Sequence, residues 1–186
     1  GASVPFVDGK FWFMDHNYAT ARTLDNGPIR TTVELTYAPF DVNGTQVSLV
    51  KTISLDANQR FNRMDNLYEG EFTEMPVAAG FVRHDVKQLT NGDDWMGMCE
   101  AASDSKDPVR DGDIYLGVIL PGGEMMPDTL GHAVAVKNVK SGQTLTYYAG
   151  SGWSQGGVDD MNEWIEEITA ANAAATQPLQ VTIVKK

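Results

Sequence analysis

"DNGPIRTTVELTY", residues 25–37, decides the fold class. Asp25-Asn26-Gly27-Pro28 is turn chemistry, because Asn and Gly accept positive φ and Pro presets its own backbone angle. Beyond the turn, Val33, Leu35 and Tyr37 alternate with Thr32, Glu34 and Thr36, which gives one apolar and one polar face. A hairpin turn between alternating segments predicts antiparallel strands over 18–24 and 29–37. Arg30 stands where the second of these strands begins, in the polar phase. It is placed either to meet a ligand or to pair with Glu34.

The same pattern continues outward. Asn43-Gly44 marks the next turn; after it Val47, Leu49, Ile53 and Leu55 keep the odd phase, with Ser48, Thr52 and Ser54 opposite. Further strands are predicted over 11–14, 61–68, 78–89, 95–100, 114–120, 133–139 and 144–149, with turn residues between them. One segment departs from period two. From Asp160 to about residue 175, Met161, Trp164, Ile165 and Ile168 fall at i, i+3, i+4 and i+7, the spacing of one helix face. Asp160 followed by Glu163 makes a capping box, and Pro178 follows the end. A closing strand is expected over 179–184, with Leu179, Val181 and Ile183 on one side. The expectation is an all-β, antiparallel β-sandwich with one C-terminal α-helix before the last strand, forming one domain over 1–186.

Composition excludes some functions. The chain has 186 residues, with 14 basic and 25 acidic side chains and a formal charge of −11. Such a surface repels phosphate backbones, so nucleic acid is not an expected partner. The hydrophobic share is 42%, yet no apolar run reaches the length of a membrane span. Cys99 is the lone cysteine, so no internal disulfide forms. Residues 1–14 lack the basic start and apolar block of a signal peptide. The chain opens on Gly-Ala-Ser rather than Met, and reads as a processed or truncated piece.

Several segments carry chemistry. The loop "GSGWSQGG", residues 150–157, looks like a dinucleotide fingerprint, but Gln155 stands where the third glycine belongs. The loop reads as a flexible connection, with Trp153 as a sugar-stacking platform the alternative. Arg83-His84-Asp85 interrupts the predicted strand over 78–89, with Arg83 and Asp85 on one face and His84 on the other. Histidine is the side chain best matched to proton transfer near neutrality. His16 and His132 are the other two, and no pair of histidines has zinc-ligand spacing. Met96, Met98 and Glu100 share a strand face opposite Trp95, Gly97 and Cys99. A carboxylate set among methionines is poorly solvated and suits acid–base work; the equal alternative is a strand-end glutamate turned to water. Cys99 itself reads as a small buried hydrophobe. Asp104, Asp107, Asp111 and Asp113 cluster in "DSKDPVRDGD"; they read as a solvated loop, with calcium as the alternative, although the spacing is not that of an EF-hand. No other metal or cofactor is expected.

Taken together, "NGPIRTTVELTYAPF", "KTISLDANQRFNRMD", "AAGFV", "DDWMGMCE" and "TYYAGSGW…DDMNEW" resemble, in order and spacing, a bacterial family known as domain of unknown function 4861. The family is common in polysaccharide-utilising bacteria. The resemblance implies an all-β fold similar to the large two-sheet sandwich (a supersandwich) of galactose mutarotase. It also implies a periplasmic or secreted setting. Chains of the family are about twice as long, so this one looks like a C-terminal half whose partner is the missing N-terminal half. Arg30, Glu100, Tyr148 and Trp153 fall in the matching motifs. Met98 and Cys99 stand where members often carry an aromatic, and His84 where a basic residue is more usual.

The functional expectation is a carbohydrate-active protein, a lyase or hydrolase acting on a uronic-acid-containing oligosaccharide or polysaccharide. Arg30 and Arg83 would bind a carboxylate, and Glu100 with His84 or His132 would act as acid and base. Tyr148 and Trp153 would stack on sugar. The alternative is a non-catalytic glycan-binding or accessory domain, which needs only an aromatic face and a few polar anchors. A weaker reading makes this half purely structural.

Overall fold

The computed structural model describes residues 2–102, 107–180 and 182–184. Among these, every strand pairing is antiparallel, and the strands form two sheets. The smaller sheet runs in the order β11 (Glu124–Thr129), β12 (His132–Lys140), β7 (Glu74–Val82), β1 (Ala2–Val7) and β2 (Lys10–Phe11). The larger runs β3 (Thr20–Asn26), β4 (Arg30–Val42), β5 (Thr45–Asp56), β6 (Phe61–Gly70), β13 (Thr144–Trp153), β10 (Asp113–Ile119), β9 (Trp95–Ala101) and β8 (Val86–Asn91). The protein is therefore an all-β sandwich.

The hairpin at residues 25–37 is formed as its turn chemistry requires. The Gly27 amide donates to the Arg30 carbonyl at 3.1 Å, and Asn26 lies opposite Thr31. On the other side of β4, Val33, Leu35 and Tyr37 lie opposite Ile53, Lys51 and Leu49. A register shift between Tyr37 and Phe40 adds residues to β4 and keeps Phe40 and Val42 turned inward. The inner core joins Leu49, Tyr68, Met96, Val118 and Tyr147 of the large sheet to Met75, Val77, Ala79, Ala133 and Ala135 of the small one. Large residues on one sheet meet small residues on the other, so the faces interdigitate.

The outer face of the large sheet carries the helix α2 (Met161–Thr176). The Asp160 carboxylate accepts from the Asn162 and Glu163 amides, while Glu163 reaches back to the Asp159 amide. Gly150, Gly117 and Gly97 stand side by side on β13, β10 and β9. A Cβ at Gly117 would come within 3.0–3.1 Å of the rings of Phe61 and Trp164, and one at Gly97 within 2.7 Å of Ile168. The missing side chains leave a trough in which Trp164 is fully buried. Its ring stacks on Phe61 at 5.3 Å, and its indole N–H donates to the Leu116 carbonyl at 3.0 Å. Arg60 ties the same corner together by donating to Glu167 and to the carbonyls of Gly156 and Gly157.

Three expectations are corrected, and three elements are added. The segment 78–89 is not one strand: it breaks after Val82, and β7 and β8 belong to different sheets. The aromatic run 11–14 contributes only Phe11 to β2. Strands β1 and β11 and a one-turn helix, α1 (Pro108–Asp111), were not anticipated. No strand is formed by residues 179, 180 or 182–184, where Leu179, Ile183 and Val184 are exposed; Val181 lies outside the described residues. Alternation alone does not make a strand when no sheet edge pairs with it.

Trp164→Ala empties the glycine trough. It is expected to lower stability by about 3–5 kcal/mol, read from denaturant unfolding curves with an unchanged slope.

Candidate functional site

Arg83-His84-Asp85 is the link by which the chain crosses from β7 in the small sheet to β8 in the large one. It is not part of a strand, so the expected alternation of these three residues does not apply. The crossing lays His84 over β9. The register there places Ile114 opposite both Glu100 and Trp153, so those three side chains share the phase of the inward-facing Met96, Met98, Tyr147 and Ala149. Glu100 therefore sits at one end of the inner face, its side chain only 9% exposed, while the His84 side chain is 56% exposed. His84 Nδ1 lies 3.3 Å from each carboxylate oxygen.

Trp153 ends the same row and is half-exposed. Its indole N–H donates to the Asp111 carbonyl at 2.7 Å, which fixes the ring and leaves much of it in water. Arg83 is paired with Asp128 of β11, and its Nε is buried without a partner among the described residues. The structure thus brings Glu100, His84 and Trp153 to one end of the sandwich, with Arg83 next to His84 in the chain.

The remaining expected site residues lie elsewhere. Arg30 is exposed and forms a two-pronged pair with Asp56, its register partner, at 2.5 and 2.8 Å. Glu34 pairs with Arg22 instead. Tyr148 is on the outer face, packed beside α2, where with Arg30 it lines a cavity of about 390 Å³. His132 donates from Nδ1 to the Leu130 carbonyl at 2.9 Å and sets its ring edge-on to Phe11 at 4.9 Å. It therefore belongs to the outer face of the small sheet rather than to Glu100. Cys99 is buried under α2, and burial pushes its thiol up to about 11, which suits a core residue and not a nucleophile. Among the described residues no three His, Cys, Asp or Glu side chains cluster as a metal site. Asp113 pairs with Lys87, and Asp107 accepts from the Arg110 amide. Asp104 lies outside the described residues.

A second site was missed from sequence. A cavity of about 350 Å³ opens beside β1, lined on its apolar walls by Trp12, Tyr37 and Phe81. Lys51 and Tyr68 reach it from the inner face of the large sheet, and His16 and His132 from its sides. Lys51 lies between Leu35 and Asn66 in register and is 8% exposed. Its Nζ is 5.5 Å from the centre of the Tyr37 ring, and no carboxylate among the described residues pairs with it. Burial holds its pKa below the ordinary 10.5. The signal was present in the sequence: Lys51 occupies the odd, inward phase between Leu49 and Ile53.

A two-sheet antiparallel sandwich with a helix on its outer face and a histidine–carboxylate pair at the end of its core is the class these observations define. The chain belongs to the family described as Domain of unknown function (DUF4861), whose model matches residues 1–181. It is 28% identical over 196 residues to "Uncharacterized protein P7" of Formosa agariphila, covering 98% of this chain and 47% of that protein. The chain thus spans about half the length of this relative. No helix among the described residues is long and apolar enough to cross a membrane.

The buried amine has a pH signature. Below its depressed folded pKa, Lys51 is charged in both the folded and unfolded chain, and the folded state bears the full cost of desolvation. Between that value and 10.5 only the unfolded chain keeps the proton, so the cost falls as pH rises. Lys51→Met is expected to raise Tm at neutral pH, with a gain that shrinks towards pH 10.5. Thermal melts across the range check this; a gain that does not change with pH would refute it.

Proposed function

We propose that the protein is carbohydrate-active and acts on a uronic-acid-containing glycan in polysaccharide utilisation, in a periplasmic or secreted setting. The observation that carries this is the contact between His84 and Glu100. A shielded carboxylate accepting from Nδ1 orients the imidazole and leaves Nε2 to take a proton. This resembles the work of a lyase, in which a base removes the proton next to the uronate carboxylate, a carbon–carbon double bond forms as the C–O bond to the glycosidic oxygen breaks, and that oxygen leaves as a hydroxyl, protonated from the conjugate acid of the base or from water. Hydrolysis uses two carboxylates facing each other across the bond, whereas the partner of Glu100 is a histidine. The reading is supported further by Trp153, whose exposed ring suits a sugar face, and by Arg83, whose exposed partner Asp128 a substrate carboxylate can replace. Arg30 and Tyr148 have no role in this chemistry, since they lie on the opposite face of the sheet.

The non-catalytic reading draws on Trp153 alone, because a half-exposed tryptophan binds sugar without any acid or base.

The test uses the longest polypeptide the gene encodes, beside the 186-residue chain, on a panel of uronic-acid polysaccharides. Reducing ends and the ultraviolet absorbance of unsaturated products are followed. His84→Ala and Glu100→Gln are each expected to slow product formation by about 10²–10⁴-fold, while Arg30→Ala leaves it near wild type. Glycan binding without products would replace the enzyme reading with the binding one.

A further inference from the structure

The cavity beside β1 is chemically unlike the protein that holds it. The chain carries a formal charge of −11, yet no acidic residue among the described ones lines this cavity. Among the described residues its titratable lining is Lys51, His16, His132, Tyr37 and Tyr68. Asp15, just outside the wall, holds the His16 pKa above its ordinary value through a 2.8 Å contact with Nδ1. The Tyr68 hydroxyl is held by Ser3 at 2.8 Å, which fixes the polar floor beside Lys51. The walls are flat apolar rings, and the volume is near the lower end for small-molecule sites.

Lys51 is the unusual element. A buried amine without a counterion is a burden in the folded state, and folds keep such groups where something else repays the desolvation. We infer that this cavity is a binding site for a small carboxylate with a ring-shaped body, the carboxylate meeting the Lys51 ammonium and the ring lying among Trp12, Tyr37 and Phe81. The ammonium and a bound carboxylate neutralise each other in a low-dielectric setting, where such a charged hydrogen bond is strongest. One or two rings fill the volume. The site is separate from the His84–Glu100 pair and stands whether or not that pair is catalytic.

Hexuronic acids and aromatic carboxylic acids share this chemistry, and the experiment separates them. The protein is titrated by calorimetry with galacturonate and with 4-hydroxybenzoate, each beside a neutral counterpart, galactose and 4-hydroxybenzyl alcohol. At least one carboxylate is expected to bind about tenfold or more tightly than its counterpart. Preference for galacturonate identifies a sugar acid, and preference for 4-hydroxybenzoate alone an aromatic acid. Lys51→Met is expected to abolish the preference, and Arg30→Ala, which alters a different cavity on the outer face, to leave it intact. In the wild-type protein the Lys51 Hε–Cε resonance is expected to shift on titration, which locates the ligand even if the variant folds poorly. Equal binding of charged and neutral partners, no binding of either carboxylate, or an undisturbed Lys51 resonance would overturn the inference.

Discussion

The large sheet depends on the seating of Trp164 in a trough made by missing side chains. Three glycines abreast let the helix approach the strands closely enough to bury an indole and stack it on Phe61. The hydrogen bond to the Leu116 carbonyl satisfies the polar edge of a ring that would otherwise be costly to enclose. With the outer face closed at this point, β9, β10 and β13 are covered on both sides. The inner face of the same strands carries Met96, Val118 and Tyr147, and at its end Glu100. The helix thus stiffens the strands that hold the acidic half of the His84–Glu100 pair.

The histidine arrives by a different route. Its position follows from the crossing between sheets, where the chain leaves β7 and must turn over the end of the sandwich to reach β8. Groups at such a crossing are held by strand ends: the Arg83 amide still donates to the Gly131 carbonyl at 3.0 Å, and His84 follows it outside both strands. Glu100 is contributed by a rigid strand and His84 by a link, so the pair joins a fixed, shielded carboxylate to a more exposed imidazole.

Much of this was legible in the sequence. The hairpin at 25–37, the odd phase of β5 and the helix with its Asp160 cap follow from period and turn chemistry, which act locally. Strands β1 and β11 were not legible because Pro5 and Pro127 interrupt their patterns, a residue tolerated where few ladder bonds are made. The break at 83–85 was hidden because apolar residues continue on both sides of it, and periodicity does not reveal a change of sheet. Within the site, the shared face of Met96, Met98 and Glu100 was readable from alternation, but its meeting with His84 was not, since that depends on topology. Lys51 shows the opposite case. Its inward phase was plain, and a long basic side chain in an apolar row signals a cavity or a partner.

The outermost strand of the large sheet has a consequence for how the protein keeps its own company. β3 is exposed along its whole length and pairs only with β4, so one row of its peptide groups faces water. A straight strand in that position would invite a neighbouring molecule to add itself to the sheet. Here the register slips between Thr23 and Asp25, and Arg22 and Asp25 bring opposite charges to the border. The kink and the charges make the border a poor template for a further strand.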